Sequence, residues 1–270
     1  MNRAEVLAAF NEQVRQSTAP DATGATYEAD ANVVTRRAVP GLGGSCVLWS
    51  RLDRRNADQV IAEQIALFGD RGEEFEWKLY SYDEPDDLAV RLESAGFTPD
   101  EPESLMIGPI AKIAEALATA ELPPGVRLEL VTDEAGVDRL ISVHERVFRK
   151  DESELRASLL VQLATAPETT DLIVALAGDE PVSSARTDYL PGTDFAGLWG
   201  GGTLPQWRRR GIYRALVRYR AELAARRGYM YLTVDASDQS RPILERIGFK
   251  RLAVTTPYLW SPARTGATVN

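Results

Sequence analysis

The residues best placed to do chemistry lie in one stretch, 200–216. Gly200, Gly201 and Gly202 lead into Thr203, Leu204 and Pro205; Arg208, Arg209, Arg210 and Gly211 follow and open a run with apolar residues at helical spacing. A strand, a short basic loop and a helix start bring three anion-binding devices together: N–H groups without intrahelical acceptors, the positive end of the helix dipole, and guanidinium groups. Residues 206–227 hold eight arginines against the single Glu222, a local charge of +7 in a chain of net charge -9. That concentration suits a small phosphate-bearing ligand bound locally, not a long nucleic acid. Arg214, Arg218, Arg226 and Arg227 also fit the solvated face of an amphipathic helix, and 200–202 also fit a plain turn. The stretch is neither a Walker loop nor a G-x-G-x-x-G dinucleotide fingerprint.

Other reactive residue types are scarce. Cys46 is the sole cysteine and His144 the sole histidine, so an intrachain disulfide, a Cys/His zinc cluster and a multi-histidine metal site are excluded by count, and no metal is expected. Cys46 falls in a strand-like run, where a small buried thiol is the expected filler. His144 and Glu145 lie on a predicted helix, and His144 shares a face with Leu140 and Val147, which favours a structural histidine. Asp188 and Asp194 bracket a strand and read as solvated loop residues.

The elements that position the basic loop follow from periodicity and breakers. A strand at 126–131 precedes a helix capped by Thr132, Asp133 and Glu134 and running to about Arg149, then a second helix over 152–166 stopped by Pro167. Strands at 172–177, 182–189 and 195–200 follow, then a long helix from Gly211 ended by Arg227 and Gly228, a strand at 231–234, a helix at 242–247 and a strand at 251–260. The order β-α-α-β-β-β-α-β-α-β gives an α/β (α+β) domain with a mixed sheet. An internal repeat extends this order upstream: at an offset of 152 residues the 92–97 run Leu-Glu-Ser-Ala-Gly-Phe matches Leu-Glu-Arg-Ile-Gly-Phe at 244–249, and strand-like 77–83 aligns with 229–235. A helical stretch at 110–120, broken by Pro123, Pro124 and Gly125, separates the copies. At the repeat offset Arg208, Gly211 and Tyr213 face Asn56, Gln59 and Ile61, so the first copy lacks the basic loop.

The segment 203–213 resembles the acetyl-CoA motif of the GCN5-related N-acetyltransferase (GNAT) superfamily, V-x-P-x-x-R/Q-x-x-G-x-G/A, with Arg208 and Gly211 in place and Tyr213 departing from the final Gly/Ala. Residues 235–249 resemble the family's second cofactor-contacting region with its Gly-Phe close. The resemblance implies two tandem acyl-CoA N-acyltransferase-type domains, each a mixed, mostly antiparallel sheet flanked by helices: a degenerate copy at 1–110, a linker at 111–125, a working domain at 126–260 and a polar, frayed tail at 261–270. It implies acetyl transfer from acetyl-CoA to an amine of a small molecule or peptide by direct attack. Gly202, Thr203, Leu204, Arg208, Arg209, Arg210, Gly211, Ile212, Tyr213, Ser237 and Ser240 are the expected cofactor contacts, with amides near Gly202 and Thr203 polarising the thioester carbonyl. The tyrosine that many members place four residues before the Gly-Phe glycine is Leu244 here, which leaves the hydroxyls of Tyr213, Ser237 and Ser240, or water, to protonate the departing thiolate. Core packing for Tyr213 and helix capping for the serines are the structural alternatives.

Composition agrees with an ordinary globular chain, at 44% hydrophobic and 26% charged residues. Its acidity argues against nucleic-acid or anionic-membrane partners, no apolar run approaches the ~18 residues of a membrane span, and the N-terminus has no leader pattern. A cytoplasmic monomer or homodimer is the expectation. The competing reading is a non-catalytic CoA-binding sensor or interaction protein; a polyanion-binding helix without CoA is a third.

Overall fold

A computed structural model describes residues 2–19, 23–39, 42 and 44–262. The expected tail falls outside the described residues from 263 onward. In the first half α1 (Arg3–Phe10) continues through a π-helical turn (Asn11–Arg15) into β1 (Thr26–Ala29), β2 (Val33–Arg37), β3 (Ser45–Ser50), α2 (Ala57–Gly69), β4 (Phe75–Tyr80), α3 (Leu88–Ser94), β5 (Thr98–Pro99) and β6 (Glu103–Pro109). The connecting stretch opens as α4 (Ile110–Ala116), whose Ile110 and Ile113 join the core beneath the second half. The second half runs β7 (Val126–Leu130), α5 (Glu134–Phe148), α6 (Ser153–Thr165), β8 (Thr170–Ala177), β9 (Glu180–Tyr189), β10 (Phe195–Thr203), α7 (Ile212–Arg226), β11 (Tyr231–Ala236), α8 (Arg241–Arg246) and β12 (Lys250–Trp260). This is the element order read from the sequence.

Local chemistry fixes the helix ends. Asp133 Oδ1 accepts the Gly136 N–H at 2.8 Å and starts α5. Gly228, at φ 86, ends α7, with its N–H on Ala225 O and that of Tyr229 on Ala224 O. On α7, Ile212, Leu216 and Leu223 pack toward one core cluster, while Val217, Ala221 and Ala224 pack toward another.

The repeat is a repeat of structure. Strands β3 and β4 pair in parallel over three residue pairs, and so do β10 and β11. Among the described residues the strands form one sheet in the order β1-β2-β3-β4-β12-β6-β11-β10-β9-β8-β7, with the short β5 paired to β12 off this path. The halves exchange their equivalent last strands: β12 lies against β4 of the first half, and β6 lies against β11 of the second. The exchange makes the sheet continuous and seats α1 on the seam, where Val6 and Phe10 bury against Tyr80, Leu105, Ile107 and Phe195. No helix among the described residues is long and apolar enough to cross a membrane.

Two expectations are corrected. Gly200 to Gly202 are not a turn; they lie inside β10, which runs to Thr203. Cys46 is in strand β3 as expected but is half-buried, not a core filler.

Candidate functional site

Strands β10 and β11 pair from Phe195↔Tyr231 to Gly197↔Thr233, and their pairing stops there although both continue. A bulge causes the divergence on one side: Trp199 pairs with Arg186 and Gly202 with Ser184, so three residues on β10 span two on β9. Because β11 is held along its other edge by β6 as far as Ala236, the two strands part as a wedge. Leu204 N–H returns to Val182 O, so strand alternation turns the Thr203 N–H away from β9, toward the wedge.

The three glycines are small because helices approach both faces of β10. A methyl group on Gly200 would come within 3.0 Å of His144 Nε2, and one on Gly202 within 3.0 Å of Val147, both on α5. On the opposite face Gly201 lies against Tyr213 and Arg220 of α7. Arg220 is fully buried, its guanidinium bonded to the carbonyls of Leu216 and Arg186, and burial pushes its pKa below the ordinary guanidinium value.

Beyond Thr203 the chain forms the basic loop. Arg208 donates from Nε to Thr203 O at 3.0 Å, bracing the loop against the strand end. Arg209 and Gly211 both take left-handed backbone, at φ 61 and φ 88. Gly211 occupies the N-cap of α7 without a side-chain cap, and the first backbone bond there is Ala215 N–H to Gly211 O. The amides of Ile212, Tyr213 and Arg214 are thus the orphan donors of a helix start, gathered with left-handed residues into an anion-binding concavity. Arg208, Arg209, Arg210 and Arg214 are exposed around it, and Arg210 stacks over Trp207 at 4.8 Å. Leu204 and Ile212 bury their side chains and contribute backbone only. The other helix arginines are not all solvated: Arg218 pairs with Glu222 and Arg227 with Asp171.

In the first half the corresponding helix start is the Asn56 N-cap of α2, three residues before the Gln59 that the repeat offset sets against Gly211, and the loop ahead of it is closed by its own side chains. Asp53 Oδ1 accepts the N–H groups of Arg55 and Asn56 at 2.7 and 3.0 Å, and Asn56 Oδ1 accepts the Asp53 N–H at 2.7 Å. Those two amides hold the Asp53 carboxyl below the usual carboxylate range. An internal carboxylate therefore already serves the amides that an external phosphate would need.

The remaining hydroxyls lie on two sides of the wedge. Tyr213 is half-buried with its ring beside Gly201, and burial raises its pKa, so the phenol stays protonated at neutral pH. Ser237 and Ser240 follow β11, 3.4 Å apart at Oγ. Ser240 is the N-cap of α8 but makes no side-chain cap; its Oγ donates to Ser237 O. Leu244 is a core residue.

On the other face the wedge opens into a cavity of about 940 Å³ between α5, α6 and the first half, large enough for a sizeable ligand. Trp199, 45% exposed, lies across Gly197 on its floor. Lys78 of β4 and Asp235 of β11 form an ion pair at 2.6 Å across the exchanged strands. Nearby Glu103 of β6 is pushed up to about 7, chiefly by burial and then by the Asp235 charge, with Lys78 opposing. In the first-half wall Arg15, 2% exposed, makes paired bonds to Asp83 at 2.8 Å and stacks over Tyr80.

Two residues differ from their sequence reading. Asp194 is not solvated; it exchanges hydrogen bonds with Gln13, latching the two halves. Asp188 is bound by Thr170 Oγ1 and Arg186 and lines the cavity. His144 faces inward with Leu140, buried and partnered as a structural histidine is, and its ring also lines the cavity, with Nδ1 2.7 Å from Glu152 Oε1.

Residues 137–249 match the acetyltransferase (GNAT) family model. Among curated protein sequences, none matches this chain. A solved GCN5-related N-acetyltransferase from Kribbella flavida superposes with TM-score 0.66 at 17% identity, covering 97% of this chain and 96% of its own. A tandem GNAT protein from the clavulanic acid biosynthesis pathway gives 0.60 at 14% identity, covering 90% and 84%. A GCN5-related N-acetyltransferase from Sphaerobacter thermophilus gives 0.58 at 15%, covering 87% and 82%. At such identities the likeness is one of fold, and it extends over both halves.

Proposed function

From a GNAT acetyltransferase domain at residues 137–249 within a tandem GNAT fold, we propose that this protein transfers the acetyl group of acetyl-CoA to an amine of a small molecule or peptide bound in the cavity between its halves. The observation that carries this reading is the wedge: the β10–β11 pair parts after Gly197 and Thr233, beside a left-handed arginine loop and with a substrate-sized cavity on its open face.

Residues 1–110 act in this reading as a degenerate copy that walls the acceptor pocket, 111–125 link it to the working domain, and 126–260 hold the cofactor. The amides from Arg209 to Tyr213, with Arg208, Arg209 and Arg210, would hold the pyrophosphate through charge-assisted bonds. The pantetheine arm would lie in the wedge against Gly202, Thr203 and Leu204 as an added strand, and the Thr203 N–H faces the place where carbonyl charge develops. Bound acetyl-CoA supplies an activated thioester that a neutral amine attacks directly, with no acyl-enzyme. Of the three hydroxyls, Tyr213 is the best-placed proton donor, since its ring abuts Gly201 beneath the wedge and its phenol is protonated; Ser237 and Ser240 stand at the mouth.

The test is to incubate the protein with acetyl-CoA and a panel of amines and to weigh the products. Gain of one acetyl group on an amine, dependent on the protein, supports the proposal. CoA binding without any acetylated product would replace it with a sensor.

A further inference from the structure

Resting on the acetyl-transfer reading above, we infer that His144 is the base that takes the proton from the acceptor amine, and that Glu152 positions it. His144 reaches from α5 onto β10, where Nε2 is the ring atom nearest Gly200, at 3.0 Å from where a methyl group would stand. Its other nitrogen, Nδ1, is 2.7 Å from Glu152 Oε1, a carboxylate only 6% exposed. An ionised carboxylate only accepts, so Nδ1 carries the proton and Nε2 keeps its lone pair. His144, Glu152, Trp199 and Gly200 all line the same cavity. The ring therefore stands at the bulge from which the wedge opens, on the face an acceptor must enter.

The surroundings keep the imidazole neutral. Burial pushes its pKa below the ordinary value; Glu152, at the N-terminus of α6, opposes this, while Lys150 from the α5–α6 turn and Arg186 from β9 add to it. The Phe148 ring packs 4.4 Å away and limits its rotation.

The proton balance closes. The acceptor reacts as R–NH2: as its nitrogen bonds the acetyl carbon, one N–H proton passes to Nε2. The C–S bond breaks, and the sulfur takes a proton from the Tyr213 hydroxyl or from water. Solvent returns the imidazolium proton to that donor, leaving the amide, the thiol and no net change in protons.

Because the chain has one histidine, an imidazole-selective ¹H–¹⁵N spectrum contains one residue's signals. We expect the Nδ1–H tautomer in the wild type, its loss in Glu152→Ala, which has no acceptor there, and a shift of both nitrogens when CoA is added. With the best amine from the panel, His144→Gln should lower kcat by about 10²–10⁴-fold and abolish the acidic limb of the pH profile, with CoA affinity unchanged. Imidazole should partly rescue His144→Gly. Glu152→Gln should move the acidic limb, Glu152→Asp should restore it, and exposed Glu145→Gln should match the wild type. An imidazole indifferent to bound CoA, full turnover in His144→Gln, or transfer of the whole effect to Glu103→Gln would overturn the assignment. A chain that binds no CoA overturns the acetyl-transfer reading, and the base with it; CoA binding beside an indifferent imidazole overturns the base alone.

Discussion

Gly200→Ala should destabilise the protein through two separable effects of one methyl group. Gly200 has φ 56, and an L-residue in left-handed backbone costs ~1–2 kcal/mol. The methyl would also lie 3.0 Å from His144 Nε2 and 3.3 Å from Cδ2, well inside the ~3.5–4.0 Å of ordinary contact. The ring has little room to retreat, since Glu152 holds Nδ1 at 2.7 Å and Phe148 packs at 4.4 Å. Overpacking of this kind costs ~1–3 kcal/mol, so the single substitution should cost about 2–5 kcal/mol in total. In a His144→Ala background only the backbone cost remains, which predicts a coupling energy of about 1–3 kcal/mol between the two positions. Urea denaturation of the wild type, both single variants and the double variant measures it. If Gly200→Ala costs the same with and without the imidazole, His144 does not stand over the bulge, and the geometry argued for the cavity wall is wrong.

The cofactor loop gives the next test. Gly211→Val places a β-branched residue at φ 88, with its Cβ 3.2 Å from Glu121 O, and should weaken CoA binding by at least 10-fold, while Arg208→Ala removes a charge-assisted contact of ~1.5–3 kcal/mol; calorimetry checks both, and unchanged affinity in both would contradict the cradle. Glu103 titrates near 7 in the folded chain against ~4.3 unfolded, so between these values the folded state binds more protons and stability falls as pH rises. Glu103→Gln should remove that part of the slope, read as the wild-type minus variant difference in urea midpoint from pH 5 to pH 8. Tyr213→Phe should lower turnover by about 10²-fold or more while Ser237→Ala and Ser240→Ala keep it; full activity in all three would leave the thiol proton to water.

Much of the second half was legible because its signals are local. Asp133 caps α5, Gly228 ends α7, and apolar spacing marks the face of α7; each acts within one or two helical turns. The basic loop was legible for the same reason, since Arg208 to Gly211 are contiguous. The strand exchange was not. β6 and β12 are equivalent copies, and nothing local to either strand marks which lies beside β4 and which beside β11; α1 packs at the seam between the halves. The glycines at 200–202 read as a turn because glycine is depleted in strands; their reason is the close approach of α5 on one face and α7 on the other. The His144–Glu152 pair hid behind a helix break. Arg149, at φ 58, reverses the chain and brings Glu152 back over the last turns of α5, and a carboxylate eight residues from a histidine carries no helical-spacing signal. The Asp194–Gln13 latch joins residues 181 apart in sequence, beyond any local pattern.

The central claim, one working acetyl-CoA site in the second half of a duplicated chain, is tested most directly by calorimetric titration of the wild-type protein with CoA. The two helix starts differ in a measurable way: at α7 the amides follow left-handed Arg209 and Gly211 with no side-chain cap, whereas before α2 Asp53 already accepts the amides of Arg55 and Asn56. Saturation at one equivalent per chain, lost or strongly weakened in Gly211→Val and unaffected by Asp53→Asn, is the predicted result. Saturation at two equivalents would show that the first half still binds, and no binding at all would contradict the acetyl-CoA assignment.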